Sequence, residues 1–428
     1  MPRFLYTLLL YFILPLVPFK LWWRGIKQPA YRQHWRERFG FYNELPQKPV
    51  IWLHCVSVGE THAAVPLIKA LQQAYPKHQI LLAHTTPTGR AASEQLFADN
   101  VLRVYLPYDV PFAIRRFLNH FQPNIGLLME TELWFNLIAA CKKSDVPLLL
   151  MNARLSEKSA TGYAKLGQLA RNGLSNLTAV GAQTLTDAKR LAALGANNIT
   201  VTGNVKFDVK PPENSKEKGA QLRQLFNGAS TKQLRPIFLA ASTREGEEAL
   251  ILDAVRDLAV LTVIVPRHPQ RFDEVANLLK QRKLSFARRS ELTAPISVET
   301  KIVLGDSMGE LYHYYAACDF TFIGGSLLNF GGQNLIEAAV MGKPILIGEH
   351  TFNFADAAAN AIENNAAIRA NSVEDIRAQI QLLLQDTSKR EQMGKAAISY
   401  SQAATGATQK MLIIIAPYLS VKASLVDY

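Results

Sequence analysis

A chain of 428 residues is too long for one hydrophobic core and calls for two domains, with room for an appendage. Its 48% apolar and 19% charged residues exclude a disordered chain. The formal charge of +12 is unevenly spread: through Gly40, seven lysines and arginines face Glu37 alone, and no nucleic-acid-binding motif accompanies them, which excludes that class of partner.

Taken in order, the chain begins with Phe4–Phe19 (FLYTLLLYFILPLVPF), apolar except for Thr7 and two tyrosines. The run is short for a full span, and Pro15 and Pro18 would bend it. No small-residue cleavage site follows, which argues against a removed signal peptide. Trp22 and Trp23 beside Lys20, Arg24, Lys27 and Arg32 have the composition of an interfacial belt with a basic flank. Residues 1–24 are therefore read as an uncleaved membrane anchor, the body lying on the cytoplasmic side by the positive-inside rule. A buried helix is the alternative. Cys55, Cys141 and Cys318 lie far apart, without disulfide or metal spacing, which favours a reducing compartment. The nine histidines form no paired ligand motif, so no metal site is expected.

From Val50 a strand–helix rhythm sets in. Strands are predicted at Val50–His54, Gln79–His84, Arg103–Leu106, Ile125–Met129, Pro147–Met151, Thr178–Ala182 and Ile199–Thr202. Helices are predicted at 62–75, 89–97, 111–121, 133–141 and 186–194. This alternation indicates a parallel sheet with helices on both faces. Residues 206–235, with Pro211, Pro212, Gly219 and Gly228, read as an interdomain linker. The rhythm restarts with strands at Ile237–Ala241, Leu261–Val265, Lys301–Leu304, Phe320–Ile323 and Pro344–Ile347. Helices are predicted at 246–258, 271–282, 308–316, 334–340 and 373–384. The expected domains are 25–205 and 236–390, and the helices of 391–428 are expected to pack back on the first.

Function is sought at strand ends, because open α/β sheets bind ligands beyond the carboxyl ends of their strands. Val50–His54 runs into Cys55-Val56-Ser57-Val58-Gly59-Glu60 and then into a helical pattern, placing Glu60 in the first turn of a helix. Glu60 either complements the helix dipole or serves as a crevice carboxylate. Glu130 and Glu132 follow another strand, where they could join Glu60, support it or cap a helix. Arg154 follows a third, to bind an anionic substrate or to form an ion pair. His54 is read as a satisfied buried histidine. In the second domain Gly324-Gly325-Ser326 and Gly331-Gly332-Gln333-Asn334, with Glu337 beyond, suit close approach to a phosphate and contact with a ribose. Neither a dinucleotide-binding G-x-G-x-x-G nor a phosphate-binding G-x-x-x-x-G-K-[ST] motif is present.

Eight short motifs occur in one order. They are His54-x-x-Ser57-Val58-Gly59-Glu60, Glu130-Thr131-Glu132-Leu133-Trp134, Asn152-Ala153-Arg154-Leu155-Ser156 and Gly203-Asn204-x-Lys206-x-Asp208. In the second domain they are Ser242-Thr243-x-x-Gly246-Glu247-Glu248, Pro266-Arg267-His268-Pro269-x-Arg271, Gly305-Asp306-x-Met308-Gly309-Glu310-Leu311 and Gly324-Gly325-Ser326. Over nearly its whole length the chain thereby resembles the Kdo (3-deoxy-D-manno-octulosonic acid) transferases of lipopolysaccharide assembly. The resemblance implies a GT-B fold: α/β, two Rossmann-like doubly wound domains facing across a cleft, with an N-terminal membrane-anchor helix. It implies inverting transfer of Kdo from CMP-Kdo to a lipid A precursor (lipid IVA) at the inner membrane, without a cofactor or metal. The family's catalytic base matches Glu60. Donor binding would involve Arg267, His268, the start of a helix at Met308, Gly309 and Glu310, the helix start at Gly332–Asn334, Glu337 and Lys206. Ser57, Gly59, Glu130 and Arg154 would serve the acceptor or sugar. The leaving group is a nucleoside monophosphate, consistent with the lack of an Asp-x-Asp pair.

One departure is visible. Where the family usually has Gly-Gly-His-Asn-Pro-Leu-Glu-Pro, this chain has Gly331-Gly332-Gln333-Asn334-Leu335-Ile336-Glu337-Ala338, so no histidine can move a proton there. Gln333 can still bind. A GT-B enzyme using a UDP- or ADP-sugar, a nucleotide-sugar epimerase and a non-catalytic nucleotide-sensing membrane adaptor are the competing readings.

Overall fold

The computed structural model describes residues 1–227 and 235–423, which fall into two compact units. Unit 1 comprises Met1–Asp208 and the chain from Thr405, and unit 2 comprises Val209–Ala404.

Unit 1 is built on seven parallel strands: β1 (Val50–His54), β2 (Gln79–His84), β3 (Leu102–Tyr105), β4 (Ile125–Met129), β5 (Leu148–Ala153), β6 (Ala179–Ala182) and β7 (Ile199–Val201), in the order β3-β2-β1-β4-β5-β6-β7. Every residue of β1, β4 and β5 is buried, as expected when helices cover both faces of a parallel sheet. Trp52 fills one face against Phe117, and its ring lies where a side chain at residue 126 would stand, which is why Gly126 is needed in β4. On the other face Ile51 and Leu53 pack with Ala64, Leu67 and Ile68 of the helix Val58–Ala74.

The C-terminal helix Ala407–Ala423 joins that second face through Ala407, Met411, Ile415 and Leu419, one residue per turn. Its first turn is held by Asp208, whose carboxylate accepts the Gly406 N–H at 2.6 Å and the Thr408 N–H. Asp208→Ala removes this cap and is expected to cost about 1–2 kcal/mol. Urea unfolding would register it as a lower midpoint at unchanged slope, and an unchanged midpoint would deny the cap its role.

Unit 2 repeats the plan with β8 (Ile237–Thr243), β9 (Leu261–Pro266), β10 (Phe286–Arg288), β11 (Ile302–Leu304), β12 (Phe320–Ile323), β13 (Ile345–Ile347) and β14 (Ala367–Arg369), all parallel in the order β10-β11-β9-β8-β12-β13-β14. All twelve expected strands are present to within a residue or two, and the edge strands β10 and β14 are additional.

The expected boundaries shift in two places. Within 206–235, Lys206–Asp208 belongs to unit 1, and Ser215–Asn227 is a helix of unit 2. Leu222 and Phe226 are buried there, and Gly219 stands where a methyl group would strike Ala316 of the helix Leu311–Ala317. That glycine allows two helices to approach; Gly228 lies outside the described residues. At the other end the helix Thr387–Ala403 remains in unit 2, burying Met393, Ala397 and Tyr400, so the return to unit 1 begins at Thr405.

Candidate active site

The strand order reverses between β1 and β4 in unit 1 and between β8 and β12 in unit 2, and ligand crevices form beyond the strand ends at such a point. The segments leaving these four strands are Cys55–Glu60, Glu130–Trp134, Arg244–Glu248 and Gly324–Asn334. They hold most of the residues expected to act.

Ser57 caps the helix Val58–Ala74, accepting the Glu60 N–H at 3.3 Å. The Glu60 side chain reaches back: one carboxylate oxygen accepts the Val56 N–H at 2.7 Å, and the other accepts the Ser57 hydroxyl at 3.1 Å. The helix-end role is therefore real, and this reciprocal cap also fixes where the carboxylate stands. Burial pushes Glu60 up to about 7; the Val56 N–H works against that, and the charges of Glu130 and Glu132 add to it. Gly59 is exposed beside it.

Glu130 leaves β4 with φ of 58°, a left-handed conformation that few non-glycine residues adopt, while its N–H donates to the Met151 carbonyl at 3.0 Å. The Lys206 amine lies 3.5 Å from its carboxylate. Lys206, expected to serve the donor, thus belongs to unit 1 and neighbours the Glu60 group. Glu132 accepts the Trp134 indole N–H at 2.9 Å, and burial raises its pKa. Arg154 is half-buried just past β5, its carbonyl accepting the Thr131 hydroxyl. Its neighbour Asn152 is also left-handed, at φ 54°, and buried, with its amide oxygen accepting the Val205 N–H at 3.1 Å. These contacts tie the segments after β4, β5 and β7 together. His54 is buried as expected; its Nδ1 meets the Ala83 carbonyl at 2.9 Å, and burial lowers it to about 4, so it is neutral near pH 7.

In unit 2 the glycine turn after β12 is organised by Glu247, to which the sequence reading gave no role. This fully buried carboxylate accepts the N–H groups of Gly325 at 2.6 Å, Arg244 at 2.8 Å, Leu327 at 3.0 Å and Leu328 at 3.5 Å. Burial raises its pKa, and the four donors act against that rise. Gly324 is obligatory here because a side chain would run into the Ser242 carbonyl of β8. Next to it, Glu248 takes a two-pronged bond from Arg271 at 2.6 and 3.1 Å and the Thr243 hydroxyl at 2.7 Å. Burial and the charges of Arg244, Arg267 and Arg271 lower the pKa of His268, so four basic side chains gather beyond β8 and β9. Arg267 and His268 are exposed and Arg244 lies over the Phe330 ring at 4.5 Å. Arg244 was hidden as an unassigned position in its motif.

Two expected helix starts are corrected. Asn334 precedes a helix of only five residues, Ile336–Val340, and its side-chain oxygen takes the Ile336 N–H at 3.1 Å, leaving little helix dipole for a phosphate. Asn334 also donates to Glu337 at 3.2 Å. Burial raises the Glu337 pKa, opposed by that bond and by the charge of Arg267. Gly332 instead donates its N–H to the Gly325 carbonyl at 2.7 Å, joining the two glycine pairs. Met308 and Gly309 lie in a turn before the helix Leu311–Ala317, with Met308 exposed and open space around Gly309. Glu310 meets Arg289 at 2.8 Å.

Two parallel, doubly wound sheets, each carrying polar groups at an order reversal, have the architecture of the GT-B fold. A glycosyltransferase from Rickettsia africae matches with a TM-score of 0.57 at 15% identity, over 87% of this chain and 99% of that one. A UDP-GlcNAc 2-epimerase from Neisseria meningitidis gives 0.56 at 16% identity over the same shares, so the fold alone does not separate transfer from epimerisation. Sequence does. The profile of the 3-deoxy-D-manno-octulosonic-acid transferases matches residues 33–209, and that of group 1 glycosyl transferases matches residues 283–400. The chain is 39% identical to the 3-deoxy-D-manno-octulosonic acid transferase of Haemophilus influenzae, over 97% of this chain and 99% of that protein. It is 41% identical to that of Bordetella pertussis, over 98% and 100%. The chain belongs to the 3-deoxy-D-manno-octulosonic acid transferase family and is a glycosyltransferase of lipopolysaccharide biosynthesis.

Proposed function

We propose that the enzyme moves Kdo from CMP-Kdo to a lipid A precursor (lipid IVA) with inversion, using Glu60 as general base. The observation that carries this reading is the Glu60 carboxylate at the β1/β4 reversal, held by Val56 and Ser57 and pushed up to about 7. A base with such a pKa accepts a proton from a sugar hydroxyl and is still largely ionised just above neutrality. The acceptor oxygen attacks the anomeric carbon of Kdo from the face opposite CMP. As that C–O bond forms, Glu60 takes the hydroxyl proton. The bond to the phosphate oxygen breaks, and its electron pair leaves on CMP.

Arg244, Arg267 and His268, with the Glu247-braced turn at Gly324–Ser326, would receive the departing phosphate. Met308, Gly309, Glu310, Gly332, Asn334 and Glu337 would complete the nucleotide site. Lys206 and Glu130, paired with each other, and Arg154, with Ser57 and Gly59 shaping the turn around Glu60, would hold the acceptor or the Kdo carboxylate. The protein would work at the inner membrane with both units facing the cytoplasm. The apolar stretch Arg3–Lys27, long and apolar enough to meet a membrane and buried only at Leu21 and Gly25, supports this location.

The pH dependence tests the base. Only the ionised carboxylate accepts a proton, so transfer should fall about tenfold per unit below pH 7 and level off above it. Glu130→Gln removes a charge that holds Glu60 up, so the acid limb should move to lower pH. A limb that stays in place would detach the profile from Glu60.

A further inference from the structure

The apolar N-terminal segment is bound to the body of unit 1 through its first helix. It runs as a helix Arg3–Ile13, one turn of 3-10 helix at Leu14–Leu16 containing Pro15, and a continuing helix Val17–Lys27. In the first helix Tyr6 donates its hydroxyl to Asp109 at 2.7 Å, and Thr7 donates to the Asn136 side-chain oxygen at 2.9 Å. Asp109 and Asn136 are buried, and Asp109 also takes the N–H groups of Asn136 and Leu137, closing the end of the helix Phe135–Lys143. The Tyr6 ring meets Phe135 edge-on at 5.4 Å, and Tyr11 stacks on Phe112 at 6.3 Å. In the second helix Leu21 and Gly25 are buried, and Arg32 folds back to donate to the Trp22 carbonyl at 3.3 Å. The opposite side is bare: Phe4, Phe12, Phe19 and Trp23 are 73%, 73%, 77% and 71% exposed.

A helix that crosses a bilayer is surrounded by lipid or by other spanning elements. This one has the body of unit 1 fixed against one side of its first helix, at Tyr6, Thr7 and Tyr11. To cross, it would have to leave unit 1, stranding the Tyr6 hydroxyl in hydrocarbon without a partner, whereas Thr7 would keep the Arg3 carbonyl of its own helix. We infer that residues 3–27 lie in the plane of the membrane as a one-leaflet ledge, with Tyr6 and Thr7 turned to the protein. The aromatic face enters the acyl chains, and Lys20, Arg24, Lys27 and Arg32 meet anionic headgroups. The inference rests on the proposed membrane location and replaces a span with a surface bond. It also fixes the first residues on the same side of the membrane as the two units.

The three native cysteines are buried, so an introduced thiol can be read selectively. Pro2→Cys and, in unit 2, Ser388→Cys both place the thiol at exposed positions. Each full-length variant is treated with a membrane-impermeant maleimide in intact spheroplasts and in inverted vesicles. The ledge predicts that both label from the same side only, whichever side that is. Labelling from opposite sides establishes a span and overturns the inference. Purified protein is also floated with vesicles of phosphatidylglycerol and phosphatidylethanolamine. It should rise with them. If it stays below as a soluble dimer with its apolar faces joined, the membrane location itself fails, and the ledge with it.

Discussion

Glu60→Gln is expected to lower transfer about a thousandfold while CMP binds as tightly as to the unaltered enzyme. The substitution keeps the shape of the cap, since a glutamine oxygen can still accept the Val56 N–H and its amide can donate to Ser57. What it removes is the ability to take a proton. The same change should stabilise the protein in alkali. A carboxyl whose folded-state pKa is raised to about 7 lends stability below its unfolded value of 4.5, and loses it as pH rises through 7. Glutamine does not ionise, so at pH 8 the variant should be more stable by about 3 kcal/mol, with no difference at pH 4. A variant that transfers at a near-normal rate would remove Glu60 from the chemistry. One that loses both transfer and CMP binding would point to a damaged fold.

Glu247→Ala should be the most damaging single change in unit 2. Its carboxylate is the partner of four backbone N–H groups, three of them in the turn that follows β12. Truncation leaves those donors buried and unsatisfied, at an expected cost of about 3–5 kcal/mol. Hydrogen exchange should quicken first at Gly325 and Leu327, and CMP affinity should fall with it. Glu247→Gln keeps one good acceptor and should fall between the two. A loss under about 1 kcal/mol for the alanine variant would mean that the turn is held by something other than this carboxylate.

The sequence made some of this legible and concealed the rest for physical reasons. Strands such as Val50–His54 and Ile125–Met129 are nearly continuous apolar runs because helices cover both faces, and such runs are hard to mistake. Phe286–Arg288 and Ala367–Arg369 are three-residue edge strands, too short to show a period. The helix Ser215–Asn227 does carry a buried stripe at Ser215, Gly219, Leu222 and Phe226. Lys216, Glu217 and Lys218 between them gave the segment the composition of a linker. At the site, Glu60 could be placed because its cap lies three residues away. Glu247 could not be given its task, because the turn it braces is some eighty residues further along the chain.

The donor and acceptor of the proposed reaction are tested together by one measurement. The full-length protein, in vesicles, is incubated with CMP-Kdo and a tetra-acylated lipid A precursor, and the lipid is then analysed by mass spectrometry. The proposed function predicts a precursor heavier by one or more whole Kdo units, with one CMP released for each. An unchanged precursor, or one that gains mass only when a UDP- or ADP-sugar replaces CMP-Kdo, would contradict it.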